Sequence, residues 1–420
     1  MRPATTRQPG LNFIFVTLLL AMVGVGLLIP ILPRLVVQFS GNDLTAGAHA
    51  YGWLLGIFSL MQFFASPILG SLSDRFGRRR IILIATAGSA IDYVIMANAP
   101  TLSWLFVARM ISGVTAGVLA TANAYVVDVS PPEKRAGAFG MISAAFGLGI
   151  MLGPPIGGAL GKMSIHLPFW FAAGCSALNW LWGFFVLPES LAPANRRPFS
   201  WKRANPIGAL LALRRFPAVL GLTAAYFVIY LGQPITQSTW ALYTQSRYGW
   251  GTLQVGLSLM AAGALMAVVQ ATLVKRIVPR LGDTKAFVLG CSVSCIGCVA
   301  YGLADAGWMI YVIMVFSSIA GIAMPALQAY ITKHVPANEQ GAVQGIFGGL
   351  GSLAYIPGPL IATWSFGWAV APGRRLNLPG IAFFEAGIVV LIGMLLAMRS
   401  FKRDRHSPTP APQSAESVAM

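Results

Sequence analysis

The chain has 420 residues, 56% of them hydrophobic and 10% charged, with a mean hydropathy of +0.71. Apolar runs of about 20 residues recur along almost its whole length, each able to cross a ~30 Å hydrocarbon core as a helix, which excludes a string of soluble domains. The net charge of +17 lies in short segments between those runs, so it excludes a polyanion as its reason and no nucleic-acid partner is expected.

Twelve spans are predicted, near 11–33, 51–70, 81–99, 102–126, 137–160, 168–187, 217–242, 252–274, 286–304, 307–331, 341–366 and 380–398. With the N-terminus in the cytoplasm, 23 of the 29 Lys and Arg fall on the cytoplasmic side. Arg34, Lys162, Arg247, Arg374 and Arg375 fall outside, and Arg109 lies within a span. That excess orients the chain, with both termini cytoplasmic. Arg2 and Arg7 precede the first apolar run as in a secretory signal, but the run is too long and ends in Ile29-Pro-Ile-Leu-Pro33 without a cleavage site. It is read as the first span.

Between the second and third spans lies Gly70-Ser-Leu-Ser-Asp-Arg-Phe-Gly-Arg-Arg-Arg80. Gly77 suits a tight turn that needs positive φ, and Asp74 faces Arg75, Arg78, Arg79 and Arg80 across it. An acid–arginine bond here could latch one conformation at the cytoplasmic mouth; alternatively the loop only sets topology. A weaker copy, Pro279-Arg-Leu-Gly-Asp-Thr-Lys285, follows about 205 residues later. At that offset Gly77 aligns with Gly282, Gly140 with Gly345, and Gly153-Pro154 with Gly358-Pro359. Two six-helix halves follow, as parallel repeats about an axis along the membrane normal. The expected organisation is a half over 1–187, a basic cytoplasmic linker over 188–215 with an interfacial helix at Ile207–Arg215, a half over 216–399, and a disordered tail over 400–420.

In the fifth span Gly149, Gly153, Gly157 and Gly161 recur every fourth residue, with Pro154-Pro155 and Gly158 among them. Such spacing makes a smooth seam for close helix approach, expected where two bundles rock against each other. Ionisable residues inside spans are costly and therefore candidates for function. Asp92 on the third span and Arg109 on the antiparallel fourth reach similar depths, which allows a buried pair. Asp128, at the cytoplasmic end of the fourth span, is expected to meet Arg75 or Arg78. Glu385 is expected at the outer interface. The seventh span carries Tyr226, Tyr230, Gln233, Thr236, Gln237, Ser238, Thr239 and Trp240, too polar for lipid. With Asn123, Tyr125, Gln328 and Tyr330 it outlines a pocket for an amphipathic organic molecule; interhelical hydrogen bonding is the alternative.

Cys175, Cys291, Cys295 and Cys298 all lie within spans, and packing is favoured over metal binding for the last three. No His falls within a predicted span. No nucleotide loop, zinc spacing or nucleophile elbow occurs, so an ATP-driven pump or another enzyme is not expected.

These features together resemble the major facilitator superfamily. The Gly70–Arg80 segment is similar to its signature between helices 2 and 3, and Arg109-Met-Ile-Ser-Gly-Val-Thr-Ala-Gly117 to its helix-4 motif. Ala145–Gly158 looks like the helix-5 antiporter motif, and Leu187-Pro-Glu-Ser190 is typical of the twelve-helix drug–proton branch. Ile91-Asp-Tyr93, Gly232-Gln233, Arg247-Tyr-Gly-Trp250, Val255-Gly-Leu-Ser258 and Pro325-Ala-Leu-Gln328 resemble tetracycline–proton antiporters. Asp74, Asp92 and Arg109 match important family positions. Three departures occur: the family's helix-1 acid is absent, with Leu20, Ala21 and Met22 in its neighbourhood, its helix-9 acid is replaced near Ser294, and its helix-8 histidine near Met266.

The resemblance implies alternating access and a proton gradient in place of a cofactor, with no metal. Protons and a small amphipathic compound are the implied partners, in the lipid bilayer of a bacterial inner membrane, and a monomer is expected. Asp92 or Asp128 is the candidate proton carrier. One proton entering across ~100 mV releases about 2.3 kcal/mol, close to the ~2.7 kcal/mol needed to hold a roughly 100-fold gradient of a neutral compound. An importer or uniporter on the same fold is the nearest rival, and a transporter-like membrane sensor or scaffold is the second.

Overall fold

A computed structural model describes residues 8–201, 205, 217–335, 340–373 and 378–406. The interfacial helix expected at Ile207–Arg215 and Arg2, Arg7, Arg374 and Arg375 lie outside the described residues. Of the disordered tail expected over 400–420, residues 400–406 instead continue the last helix, Ile381–His406, and the rest lies outside the described residues. Among those described, every regular element is a helix. Eleven helices are long and apolar enough to cross a membrane: α1 Gly10–Leu28, α2 Leu44–Phe76, α3 Arg78–Ala97, α4 Leu102–Val129, α5 Pro132–Met163, α6 Leu167–Val186, α8 Thr252–Leu281, α9 Asp283–Leu303, α10 Gly307–Lys333, α11 Val343–Ala369 and α12 Ile381–Arg403. The 32-residue α7, Pro217–Tyr248, has the length of a twelfth.

Several boundaries differ from expectation. The first span stops at Leu28, and a separate short helix, Leu32–Phe39, follows. The second starts at Leu44, because the Asp43 carboxylate accepts from the N–H groups of Thr45 (2.8 Å) and Ala46 (3.2 Å). His49 therefore does lie in a membrane-length helix, contrary to the sequence reading. The Gly70–Arg80 segment is not a loop but a helix end, one turn residue and a helix start. Gly77 alone, at φ 98°, separates α2 from α3. Its repeat partner Gly282, at φ 75°, separates α8 from α9 in the same way. A side chain is disfavoured at both positions.

In the first half α1 packs on α5 and α6, α3 on α4 and α6, and α2 on α4. In the second, α7 packs on α11 and α12, and α9 on α10 and α12. The halves meet along two repeat-related pairs, α5 with α8 and α2 with α11. Contacts across both pairs concentrate at one end of the molecule, called here the Gly41 end. There the Thr252 hydroxyl donates to the carbonyl of Gly158 (2.9 Å), Thr45 Oγ1 donates to the carbonyl of Gly367 (3.3 Å), and His49 stacks on Trp364. At the opposite, Gly77 end the halves stand apart. A Cβ added at Gly137, Gly140 or Gly147 of α5, or at Gly345 or Gly348 of α11, would meet nothing within 4 Å. The molecule is closed at the Gly41 end and open at the Gly77 end.

Candidate transport machinery

Arg78, the first residue of α3, is the centre of the largest charged cluster. Its guanidinium lies 2.6 Å from Asp74, 2.5 Å from Ser73 Oγ and 3.1 Å from Asp128 on α4. Asp128 also accepts from Ser190 (3.1 Å), and the Arg78 backbone N–H donates to Glu189 (2.9 Å). Glu189 thus supplies an acceptor to a backbone N–H at the start of α3 that has none within its own helix. Of the two partners expected for Asp128, the structure selects Arg78. Arg75 is exposed, with its guanidinium over the Phe76 ring, and Arg80 is exposed as well. Arg79 donates to the carbonyl of Phe184 at 2.5 Å. Gly70 faces α4, where a Cβ would come 4.0 Å from Ala120. All these partners belong to the first half or to the segment leaving it, so the cluster does not bridge the halves in this state.

The second half contains a counterpart. Asp283 and Lys333 stand 205 residues after Arg78 and Asp128, and their side chains pair at 2.5 Å. The repeat has kept an ion pair at the same place and exchanged its signs.

Deeper in the first half, Asp92 on α3 and Arg109 on α4 are 3.5 Å apart, with 2% and 6% of their side-chain surfaces exposed. Ser112, one turn along α4, links them: it accepts from Arg109 (2.5 Å) and donates to Asp92 Oδ2. The Phe58 ring of α2 covers the guanidinium at 5.4 Å. Asp92 Oδ1 and Arg109 Nε have no hydrogen-bond partner among the described residues. Glu385 is half-buried on α12, where the Ser365 hydroxyl of α11 donates to it at 2.8 Å.

The glycine seam of α5 faces a different neighbour from the one expected. Gly149, Gly153, Gly157 and Gly161 all lie against the α1 side of the first half; a Cβ on Gly153 would come 2.6 Å from the Val23 carbonyl and 2.7 Å from Gly26 Cα. The face toward the other half is carried by Pro154, Pro155 and Gly158. Gly158 abuts the backbone of Thr252 and Leu253, and Gly256 abuts Pro154 and Pro155. Two stripes of one helix therefore serve two interfaces, and only the second lies between the halves.

The expected cavity residues divide in the same manner. Tyr226, Tyr230, Gln233 and Gln237 share one face of α7, with both glutamines exposed. Tyr226 stacks on Tyr230 (5.6 Å) and on Phe347 of α11 (4.5 Å), and accepts from Gln328 of α10 (3.3 Å). Tyr355 of α11 donates to Gln237 (2.9 Å). Beside this group, Gln328, Thr332, Lys333, Gln340 and Gln344 border a cleft of about 480 Å³. Other residues do not join it. Tyr125 is fully buried against α1, its hydroxyl donating to the Pro188 carbonyl (3.2 Å). Trp240 is buried in the second half, donating to Ser258 (3.0 Å) and packed edge-on to Tyr301 and Phe383. Tyr330 packs on His334 and Phe401. Asn123 is half-buried on α4. Thr236, Ser238 and Thr239 donate back to carbonyls of their own helix, which accounts for part of its polarity without a ligand.

The Major Facilitator Superfamily pattern matches residues 14–359 and 280–418. The chain belongs to the major facilitator superfamily. Its relatives include the class C tetracycline resistance protein of Escherichia coli, 39% identical over 376 residues that cover 90% of this chain and 93% of that protein. The class G protein of Vibrio anguillarum is 38% identical, covering 80% of this chain and 85% of that protein. Among solved structures, a bacterial homologue of the human lysosomal transporter Spinster, inward-facing and unoccupied, superposes with a TM-score of 0.76 at 16% identity, covering 97% of this chain and all of that one. The human organic anion transporter MFSD10 gives a TM-score of 0.68 at 23% identity over 94% of this chain and all of that one.

A major facilitator protein is a transporter rather than an enzyme and crosses the membrane many times, in keeping with these helices. Sequence reasoning missed three participants in the facilitator core. Glu189 and Ser112 were each visible only as one letter of a motif, Glu189 lying 111 residues from the N–H that donates to it, and Tyr355 was hidden in an apolar run. Helical spacing of Ser112 three residues after Arg109 was the one available signal.

Proposed function

We propose that the protein exports an amphipathic organic compound of tetracycline type in exchange for protons, by alternating access, from a bacterial inner membrane with both termini in the cytoplasm. The observation that carries this reading is 39% identity to the class C tetracycline resistance protein over nine tenths of the chain. On this reading the open Gly77 end faces the cytoplasm, where most Lys and Arg lie, and substrate enters against the tyrosine stack of α7. The stack offers π faces and the neighbouring glutamines offer donors and acceptors, a lining suited to a polycyclic amphiphile.

Asp92 is the proposed proton carrier. Ionised, it holds Arg109 through Ser112. Protonated, it loses the charge that attracts the guanidinium, and the contact between α3 and α4 loosens. The Arg78–Asp128 pair then acts as a brace that keeps α2, α3 and α4 moving as one body, while Pro154, Pro155 and Gly158 provide the face along which the halves rock.

The test uses inverted membrane vesicles containing the full chain, an imposed proton gradient and a pH-sensitive dye. Tetracyclines and other amphipathic drugs are added in turn. A substrate-triggered proton leak that Asp92→Asn abolishes supports antiport. A leak that persists at full size in Asp92→Asn removes Asp92 from the pathway. Drug movement with no leak would indicate an uncoupled carrier, a reading favoured by the missing acids near Met22 and Ser294.

A further inference from the structure

Positive charge is scarce at the Gly41 end, as the orientation of the chain requires. Of the cations described there, Arg247 is paired with Asp305. Arg34 and Lys162 have no ion-pair partner among the described residues, and both line the same cleft, of about 460 Å³. Its walls come from three elements: Arg34 and Gln38 from the short helix after α1, Lys162 and Ser164 from the end of α5, and Thr252 and Gln254 from the start of α8. No acidic side chain lines it. The cleft is also bordered by Met163 and Leu257, apolar side chains 79% and 40% exposed on helices that reach the membrane surface. Two unpaired cations beside exposed apolar side chains, at the level of the headgroups, match a ligand that is anionic at one end and apolar at the other.

We propose that this cleft binds an anionic phospholipid, with its phosphodiester between Arg34 and Lys162 and an acyl chain along Met163 and Leu257. The site has a conformational consequence. Arg34 and Lys162 belong to the first half, whereas Thr252 and Gln254 belong to the second. The cleft is complete only while α5 and α8 are held together, as by the Thr252–Gly158 hydrogen bond. A lipid that requires both walls binds the state closed at the Gly41 end in preference to the open one, and so shifts the population toward it.

The test is native mass spectrometry of the full chain released from nanodiscs of phosphatidylcholine doped with phosphatidylglycerol. The wild type is expected to retain phosphatidylglycerol. R34Q/K162Q should retain it on the order of 25-fold less, since each surface cation contributes roughly a fivefold factor to anionic-lipid attraction. The single variants R34Q and K162Q should fall between. K275Q/R276Q, which removes two exposed cations from the far end of α8, should retain wild-type amounts. Equal losses in the two double variants would mean general charge attraction and would overturn the site, as would undiminished retention in R34Q/K162Q. Soluble glycerol phosphate serves as the competitor. Displacement of the lipid at matched concentration would show that the cleft takes free phosphates and would overturn the lipid assignment. A thermal melt of each variant in detergent separates a lost site from a lost fold.

Discussion

The two halves share a helix order but divide the chemistry. The first half buries its charge: Asp92 faces Arg109 inside the bundle, and Arg78 joins Ser73, Asp74 and Asp128 where three helices meet. The second half keeps its ion pairs near the surface. There the cation is the open member, the Lys333 side chain being 66% exposed against 12% for Asp283, and Glu385 has a hydroxyl for a partner rather than a cation. In exchange, the second half carries the stack of Tyr226, Tyr230 and Phe347, in which Tyr226 is 4% exposed and Tyr230 half-buried. Duplication has therefore preserved helix ends, where backbone geometry demands glycine at residues 77 and 282, and has left the sign and burial of the adjoining pair free to change.

This contrast can be broken most severely at Arg109. Arg109→Ala leaves the Asp92 carboxylate buried without its cation and is expected to cost about 3–5 kcal/mol, read as a large drop in melting temperature. Glu385→Gln keeps the Ser365 hydrogen bond and should melt within a few degrees of wild type. Next in size is the α5 seam. Gly153→Leu forces α1 away from its backbone contact and should cost about 3 kcal/mol, with a fall in folded yield. Gly348→Ala on the repeat-related α11, where a Cβ meets nothing, should leave folding unchanged.

The sign-exchanged pairs sharpen the comparison further. Reversing both members of the second pair, Asp283→Lys with Lys333→Asp, leaves one member at a position 66% exposed and should be tolerated to within about 1 kcal/mol. The same reversal in the first half, Arg78→Asp with Asp128→Lys, places a second carboxylate beside Asp74 and should not be tolerated. Equal outcomes would show that burial does not distinguish the two sites. The smallest expected effect concerns ligand. Tyr226→Ala should weaken the apparent affinity for transported compound several-fold, an aromatic contact being worth about 0.5–1.5 kcal/mol. Tyr125→Phe, which loses only the bond to the Pro188 carbonyl, should leave that affinity unchanged in the same transport assay.

Much of this was legible in one dimension because membranes impose strict rules. A span must be long and apolar, so helix number and order follow from hydropathy. Depth is also readable: a rise of 1.5 Å per residue put Asp92 and Arg109 at similar heights on antiparallel neighbours, where the structure holds them 3.5 Å apart. The repeat offset that aligned Gly77 with Gly282 also carried the Asp283–Lys333 pair, although exchanged signs concealed it. Helix ends were less legible, since the Asp43 cap lengthens α2 enough to bring His49 into it.

What the linear chain could not specify was which neighbour each face meets. A glycine every fourth residue announces a smooth stripe, and nothing local says whether α1 or α8 lies against it; packing assigned the stripe to α1 and left Pro154, Pro155 and Gly158 to the interface with α8. Tyr125 and Trp240 have the chemistry of a binding pocket, but each has its polar atom satisfied inside the protein. That the spans are helices follows from the cost of exposing polar backbone to lipid, which every local segment feels by itself. Partner choice depends on rotation and tilt of whole helices, set by many contacts at once, and only the assembled bundle determines those.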